Sequence, residues 1–503
     1  MRQYAVGMAW PFALLAAITF AVVLFFMPWN ADGCFAVNDA LWYAHAAEHD
    51  GLASISGHHP LFHVLLLPLT GALDFVGADH PGHWATRCVN AAAFAGIVML
   101  LGRLAGWRRT ALALPLLLLA TRSVLLEASV GETVVPAAAL ALWALVAACD
   151  GNCSLLRVGA ITVAALLLRQ DNILIVPGLV FALATRLPQQ RRLWRMFLWL
   201  ALTGLTTLGA YVICWQLAGA ANLRAFMFTT AEVATRNWAP AELPGLDDLL
   251  LRCTTLGVAV AGVQHDYRAF TLNISIGLAF FVVLWAACRL LCVRTASTQP
   301  PTTNRRAMLW AVLLIAATRF CFYCWFEPQN FEWWILELLL GTALAAIHCP
   351  RSLSAAMLLL VAAATTFMLH ATSTMALRDT TLHDAAAQAE LWSHDPARPI
   401  VVTHGFRSHT ALHLRQVPHD PWLLLNAPPA ESAGPLLTDY IARAQRPVIL
   451  LLDRFVGDGH PAQAISGLDS LAVWVDTVPF QAPMRAWRQR GKAQVLWIPP
   501  LPR

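Results

Sequence analysis

Runs of roughly 15 to 23 mostly apolar residues recur from one end of this chain to about residue 371, and most are long enough to cross about 30 Å of hydrocarbon. They lie near 8–28, 84–102, 110–126, 133–149, 154–168, 172–186, 196–217, 270–292, 307–326, 332–348 and 352–371. Backbone inside a bilayer must satisfy its own polar groups, so such runs fold as helices. The chain is 58% hydrophobic and 13% charged, with a mean hydropathy of +0.58, which excludes an ordinary soluble domain. The reading is an α-helical polytopic membrane protein of about eleven transmembrane helices.

Positively charged short loops stay on the cytoplasmic side. With Arg2 inside, so are Arg103, Arg108 and Arg109, Arg157, Arg186, Arg191, Arg192 and Arg195, Arg289, Arg294, Arg305 and Arg306, and Arg351. From Trp29 to Thr86 there is no Lys or Arg, as expected of an outer loop, here bounded as 29–83. The first apolar run exceeds a signal-peptide h-region of about 7 to 15 residues and reads as a retained helix. The net charge of +5 follows from the cytoplasmic arginines and suits anionic membrane lipid, with no nucleic acid partner implied. The eleven cysteines lie mostly in or beside apolar spans and set out no disulfide framework; Cys321 and Cys324, in CxxC spacing at a span end, read as packing thiols.

The composition changes near residue 372. The transmembrane domain is expected over 1–372, and 373–503 as a small α/β domain outside the cytoplasm. There the apolar runs shorten to strand length at 399–403, 448–453, 471–475 and 493–498, with helical stretches at 436–444 and 460–465 between them. No glycine-rich phosphate loop occurs in this tail, and His404, His409 and His413 read as surface histidines.

Ionised side chains are costly inside a membrane and tend to mark function. Here they gather at the expected outer turns: Asp39 and Glu48 in the first loop, Arg87 opening the second span, Arg122, Glu127 and Glu132 between spans three and four, Arg169 and Asp171 between five and six, and Arg319, Glu327 and Glu332 between nine and ten. Single residues at helix ends also snorkel to headgroups. Four turns that each offer acid and base suit a surface reaction on a substrate carrying phosphate and hydroxyl groups.

The first loop is the densest. Asp39 and Tyr43 stand four residues apart, with Ala47 four further on, so a helix would align them on one face. His58 and His59 precede Pro60-Leu61-Phe62, and Pro60 keeps His59 out of helical geometry. An acid, a tyrosine one turn later, a small residue and a His-Pro return resemble the first loop of the GT-C superfamily of polytopic glycosyltransferases, especially the branch of protein O-mannosyltransferases and lipid A aminoarabinose transferases. The resemblance continues through Ala85-Thr86-Arg87 at the second span, the acidic turn at Glu127 and Glu132, and the polar break Leu168-Arg169-Gln170-Asp171-Asn172 before Pro177. Two departures stand out: the family's acidic pair is reduced to Asp39 followed by Ala40, and Lys492 is the only lysine.

The resemblance implies inverting transfer of a sugar from a polyprenyl-phosphate donor to an acceptor hydroxyl of a glycan, lipid or protein, at the outer face of the cytoplasmic membrane. Asp39 would be the base. Arg87, Arg169 and Arg319 would hold the phosphate charge, Glu127 and Glu132 would orient the acceptor, and Tyr43, His58 and His59 would contact sugar or pack the loop. Asp171, Glu327 and Glu332 complete the candidate substrate-binding set. No cofactor is required, though a divalent metal is compatible with the carboxylates. Two other functions fit parts of the pattern. His45-Ala-Ala-Glu48-His49 spells the H-x-x-E-H arrangement of inverted zinc proteases, with two histidines one turn apart and a glutamate to activate water. A lipid-linked sugar flippase would use a polar path through the membrane depth.

Overall fold

A computed structural model of the chain describes residues 2–25, 40–119, 121–228, 243–261, 305–328, 330–347, 381–403, 412, 415–420, 433–451, 485–489 and 492–500. Two compact units are present, one ending before residue 371 and one holding the tail. The first is almost entirely helical: α1 (Arg2–Phe25), α2 (Ala40–His49), α3 (Pro60–Phe75), α4 (Pro81–Leu104), α5 (Ala113–Leu119), α6 (Arg122–Val130), α7 (Val134–Cys149), α8 (Leu155–Leu168), α9 (Val176–Arg186) and α10 (Arg192–Ala218). Helices Leu246–Ala261, Arg305–Phe326 and Ile335–Ile347 follow.

Among the described residues, three helices are long and apolar enough to cross a membrane: Pro81–Leu104, Gln189–Ala218 and Arg306–Phe326. The pair Ser123–Ser129 and Val134–Cys149, bent by 108°, makes a fourth if it is one span. These apolar helices make the chain a multi-pass membrane protein. The expected count of eleven is not reached among the described residues, and the runs at 270–292 and 352–371 lie outside them. Three runs also differ in form. The run at 110–126 is broken into α5 and α6, and those at 172–186 and 332–348 each open with a 3-10 turn, Gln170–Ile175 and Phe331–Trp334. Conversely, α3 and the Leu246–Ala261 helix form where no span was expected. At 16 residues each they are about 24 Å long, short of the hydrocarbon thickness.

Helix α7 is the centre of this unit. Apart from Leu140 and Trp143 its residues are buried, and an all-round apolar sequence suits that position. Gly102 of α4 lets Phe12 of α1 approach closely, since a Cβ there would lie 2.6 Å from the Phe12 ring. The α10 surface, by contrast, leaves Leu193, Phe197, Leu202, Leu205 and Ile213 exposed, as a lipid-facing helix does. At one end of α4 Arg103 pairs with Asp150 at 2.8 Å, and Arg186 donates to the Ala147 and Asp150 carbonyls at the end of α7. Sixteen residues away along α4, about 24 Å, Arg87 is buried at the other end. The two polar zones therefore occupy opposite ends of one helix.

The tail unit contains a four-stranded sheet of order β1-β2-β4-β3, with β1 at Ile400–Thr403, β2 at Val448–Leu451, β3 at Arg485–Gln489 and β4 at Lys492–Ile498. β1 and β2 are parallel; β4 is antiparallel to both of its neighbours. Every residue of β2 is buried, as in a strand covered on both faces. The helix Thr381–Ser393 places Ala385, Ala386 and Ala389 in one core with Val401, Ile449, Leu451 and Val495. β1, β2 and β4 fall on three of the four strand-length runs; the runs at 471–475 and 460–465, and His404, His409 and His413, lie outside the described residues. β3 was not anticipated.

Candidate functional site

The polar break after α8 is the node of the site. Leu168 ends α8, Arg169 is extended (φ −152°, ψ 126°), and Gln170–Ile175 form a short 3-10 helix before α9 opens at Val176 with Pro177 in its first turn. Asn172 turns back to donate to the Ala165 carbonyl at 2.8 Å, a second bond to the acceptor that the Arg169 N–H also engages at 3.1 Å. This local bonding holds the two ionic side chains in place. Arg169 Nε donates to Asp171 Oδ1 at 3.0 Å, and Arg169 Nη1 stands 4.0 Å from Glu332 Oε2.

The 331–334 turn closes over it. Asn330 caps the turn by accepting from the Glu332 N–H at 2.9 Å, and its amide donates to Glu327 Oε2 at 3.1 Å. Trp333 Nε1 donates to the same Glu327 oxygen at 3.1 Å. Glu327 is thus engaged inside its own turn, where it fixes the Trp333 ring. That ring stacks on Tyr323 (centroids 4.5 Å, planes 10° apart) and carries the Arg169 guanidinium over it at 4.4 Å.

Behind this layer lie two further buried arginines. Arg319 Nε donates to Glu337 Oε1 at 3.2 Å, and its Nη1 is 3.7 Å from Asp171 Oδ2. Arg252, with no exposed surface, reaches Glu337 Oε1 at 3.7 Å and the Trp333 carbonyl at 3.2 Å, and lies over the Trp334 ring at 3.9 Å. Each of these guanidinium groups lies over an aromatic ring, and cation–π attraction offsets part of their desolvation. Asp171, Arg319, Glu332, Trp333, Asn172 and Arg169 line a narrow cavity together with apolar Ala137, Ala138 and Leu336.

The acidic turn adjoins this cluster. Glu127 and Glu132 are both buried, and Glu127 lies in the electrostatic field of Glu132, Glu332 and Arg169. Gly131, at φ +87°, lets the turn lie against α4, where a Cβ would come 2.5 Å from Thr86 Oγ1. α4 in turn caps α6: Arg87 Nε donates to the Ser129 carbonyl at 3.1 Å, and Asn90 to the Glu132 carbonyl at 2.7 Å. Arg87 therefore has a structural bond that its place in the sequence did not announce.

The first loop reaches the same node from another side. Asp39 lies outside the described residues; α2 begins at the next residue. Tyr43 is buried and meets His59, Phe62 and His63 edge-to-face at 5.7, 5.3 and 5.2 Å. His59 Nδ1 donates to the Leu168 carbonyl at 2.8 Å, and the His58 and His59 rings are 4.0 Å apart. Burial, with His58, Arg169 and His63 nearby, holds the His59 imidazole well below its usual range, against the pull of the Leu168 carbonyl. It is neutral at pH 7, with its Nδ1 proton fixed by that carbonyl.

The zinc-protease spelling does not assemble. Among the described residues no three His, Cys, Asp or Glu side chains come together as a metal site. His45 and His49 pack ring to ring at 4.5 Å, while Glu48 Oε1 accepts the Gly82 N–H at 2.8 Å. A carboxylate at the first turn of α4 is favoured by the helix dipole, so Glu48 joins α2 to α4.

The fold thus brings together His58, His59, Arg169, Asp171, Glu332, Arg319, Glu127 and Glu132, with Tyr43 behind the histidines. The sequence reading passed over Arg252, Glu337, Tyr323 and Trp333, and gave Gln170 no role of its own within the polar break. Glu337 had a usable signal, an ionisable residue inside an apolar run; Arg252 sat in a segment not read as a membrane helix.

No protein-family profile and no curated protein matches the chain. Solved structures do. The chain is similar to ArnT from Cupriavidus metallidurans bound to undecaprenyl phosphate, with a TM-score of 0.56 and 15% identity over 98% of this chain and 98% of that one. It is also similar to ArnT from the same organism in the apo state, with a TM-score of 0.44 and 13% identity over 98% of each chain. The first likeness shows that the two chains share a fold; the second is too low to argue from.

Proposed function

We propose that this chain is a membrane glycosyltransferase of the GT-C type, which moves a sugar from a polyprenyl-phosphate donor to an acceptor hydroxyl at the outer face of the cytoplasmic membrane. The observation that carries this reading is the meeting of the first loop with the arginine turn, where His59 binds the carbonyl of the residue before Arg169. A fold shared with a protein bound to undecaprenyl phosphate supports the donor class. The domains are taken as 1–372 in the membrane and 373–503 as a separate α/β domain on the outer side, to which we assign no catalytic group.

The chemistry is a single displacement with inversion. The acceptor oxygen forms a bond to the anomeric carbon as the bond from that carbon to the phosphate oxygen breaks, and the electron pair leaves with the phosphate. Asp39 takes the acceptor proton. Arg169 and Arg319, which face the cavity, stabilise the phosphate as charge develops in a site poor in water. Glu127, Glu132 and Glu332 orient the acceptor, Asp171 fixes both arginines, and Tyr43, His58 and His59 line the sugar side. No step is assigned to His45, Glu48 or His49, because Glu48 is engaged by Gly82 and His45 packs on His49.

The test is direct. A strain deleted for the gene should lose one sugar from an envelope glycan, lipid or protein and accumulate its polyprenyl-phosphate donor, both read by mass spectrometry. Purified protein should bind undecaprenyl phosphate, and Arg169→Gln should weaken that binding at least about tenfold. An unchanged envelope together with no binding by the intact protein would overturn the assignment.

A further inference from the structure

The turn that carries Arg169 is attached to the first loop twice, and the two attachments flank the arginine. His59 donates to Leu168, one residue before it; Gln170, one residue after it, donates from Nε2 to the Gly57 carbonyl at 2.9 Å and to the Met227 carbonyl at 2.9 Å. A carboxamide nitrogen has two protons, and here both are used on carbonyls from separate segments. Those segments are themselves in contact: a Cβ at Gly57 would lie 1.7 Å from the Phe226 carbonyl oxygen, so no side chain fits there. Residues 57 and 59 are thereby matched to residues 170 and 168.

From this juxtaposition we infer that Gln170 is a positioning residue, which sets the register of the first loop against Arg169 without touching substrate. The inference rests on the proposed function for its purpose, because that function needs the loop bearing Asp39, His58 and His59 at a fixed place beside the phosphate-binding arginines. It makes a distinct claim. The bonds of Arg169 to Asp171 and Glu332 do not pass through Gln170, so its loss should free the loop while leaving the arginine site intact.

Two measurements on the full-length protein separate these effects: the maleimide modification rate of Ser56→Cys, in a background with the native cysteines replaced by alanine, and binding of undecaprenyl phosphate. Ser56 is half-buried, adjoins Gly57 and accepts the His58 N–H at 3.2 Å, so it reports loop opening. Gln170→Met keeps the side-chain length and removes both donors; two lost hydrogen bonds should speed modification by on the order of tenfold to thirtyfold, with binding held within about threefold. Gln170→Glu should behave the same way or more strongly, because its carboxylate faces two carbonyls. Gly57→Ala attacks the register from the loop side and should also speed modification.

Modification at the parent rate in Gln170→Met and Gln170→Glu would overturn the inference. So would a joint loss of undecaprenyl phosphate binding and thermal stability, which would make Gln170 a general structural residue. Failure of the parent protein to bind undecaprenyl phosphate would count against the proposed function alone, since the modification rates still decide the register.

Discussion

Glu337 Oε1 stands 3.2 Å from Arg319 Nε and 3.7 Å from Arg252 Nη2, so a single buried carboxylate oxygen serves two guanidinium groups from different helices. Breaking a buried pair leaves an uncompensated charge, at a cost of about 3–5 kcal/mol. Here the loss would strip Arg252 of its carboxylate contact at 3.7 Å and leave Arg319 with Asp171 at 3.7 Å. Glu337→Gln should therefore destabilise the membrane unit by at least about 3 kcal/mol, and more than Arg252→Met, which removes a charge and its carboxylate demand together. Thermal unfolding of the detergent-solubilised protein checks the order; a Glu337→Gln protein as stable as the parent would mean that Asp171 alone balances these arginines.

A second prediction concerns acid. His59 has a folded pKa lowered by burial and by the neighbouring His58, Arg169 and His63. The unfolded chain therefore binds a proton at a higher pH than the folded one. Stability from the neutral imidazole is complete above about 6.5, the ordinary histidine value, and falls as the pH drops below it toward the folded value. Between pH 7.5 and 5.5 the melting temperature of the parent should fall further than that of His59→Asn, whose amide can still donate to the Leu168 carbonyl but does not titrate. Equal falls in the two proteins would show that His59 does not contribute to acid sensitivity.

Much of this site was readable before the fold was known, and the part that was not has a physical reason. Arg169, Asp171 and Pro177 stand out because ions and a proline interrupt an apolar run, and the structure breaks the helix there. Arg319, Glu332, Glu127 and Glu132 carried the same signal. Their partners did not. Tyr323 and Trp333 look like ordinary membrane aromatics in sequence, and only the fold reveals that Tyr323 donates to Asp171 Oδ2 at 2.6 Å and that Trp333 carries Arg169. Gln170 is silent for a similar reason, since both of its acceptors are backbone carbonyls, which no side-chain pattern records. The His45, Glu48 and His49 spelling points the other way: its spacing suits zinc, but no group of three metal-holding side chains occurs among the described residues, and one glutamate oxygen accepts a glycine N–H at the start of α4.

Placement in the membrane gives a third prediction. The polar site and the Arg103–Asp150 end lie at opposite ends of α4, so the charge rule puts Gly82 and Gly131 outside and Arg109 and Pro301 in the cytoplasm. Cysteines substituted singly at these positions in a cysteine-free background should react accordingly with a membrane-impermeant maleimide. Modification of Pro301→Cys from outside intact cells would invert the topology and, with it, the side on which transfer is proposed.

The last prediction tests the base. If Asp39 removes the acceptor proton, Asp39→Asn keeps size and hydrogen bonding but loses the group that accepts it. General-base catalysis is typically worth about a hundredfold to ten-thousandfold in rate, so sugar transfer should fall by at least the lower figure while undecaprenyl phosphate binding, assigned to Arg169 and Arg319, persists. His45→Ala and His49→Ala should cost far less, because their rings pack against each other at 4.5 Å on α2. Glu48→Gln should be mild as well, since the amide oxygen can still accept the Gly82 N–H. Transfer, monitored as restoration of the missing sugar in the deletion strain, ranks the four variants. Near-parental restoration by Asp39→Asn beside crippled His45→Ala and His49→Ala would reject Asp39 as the base and return the chemistry to a metal bound by the histidines.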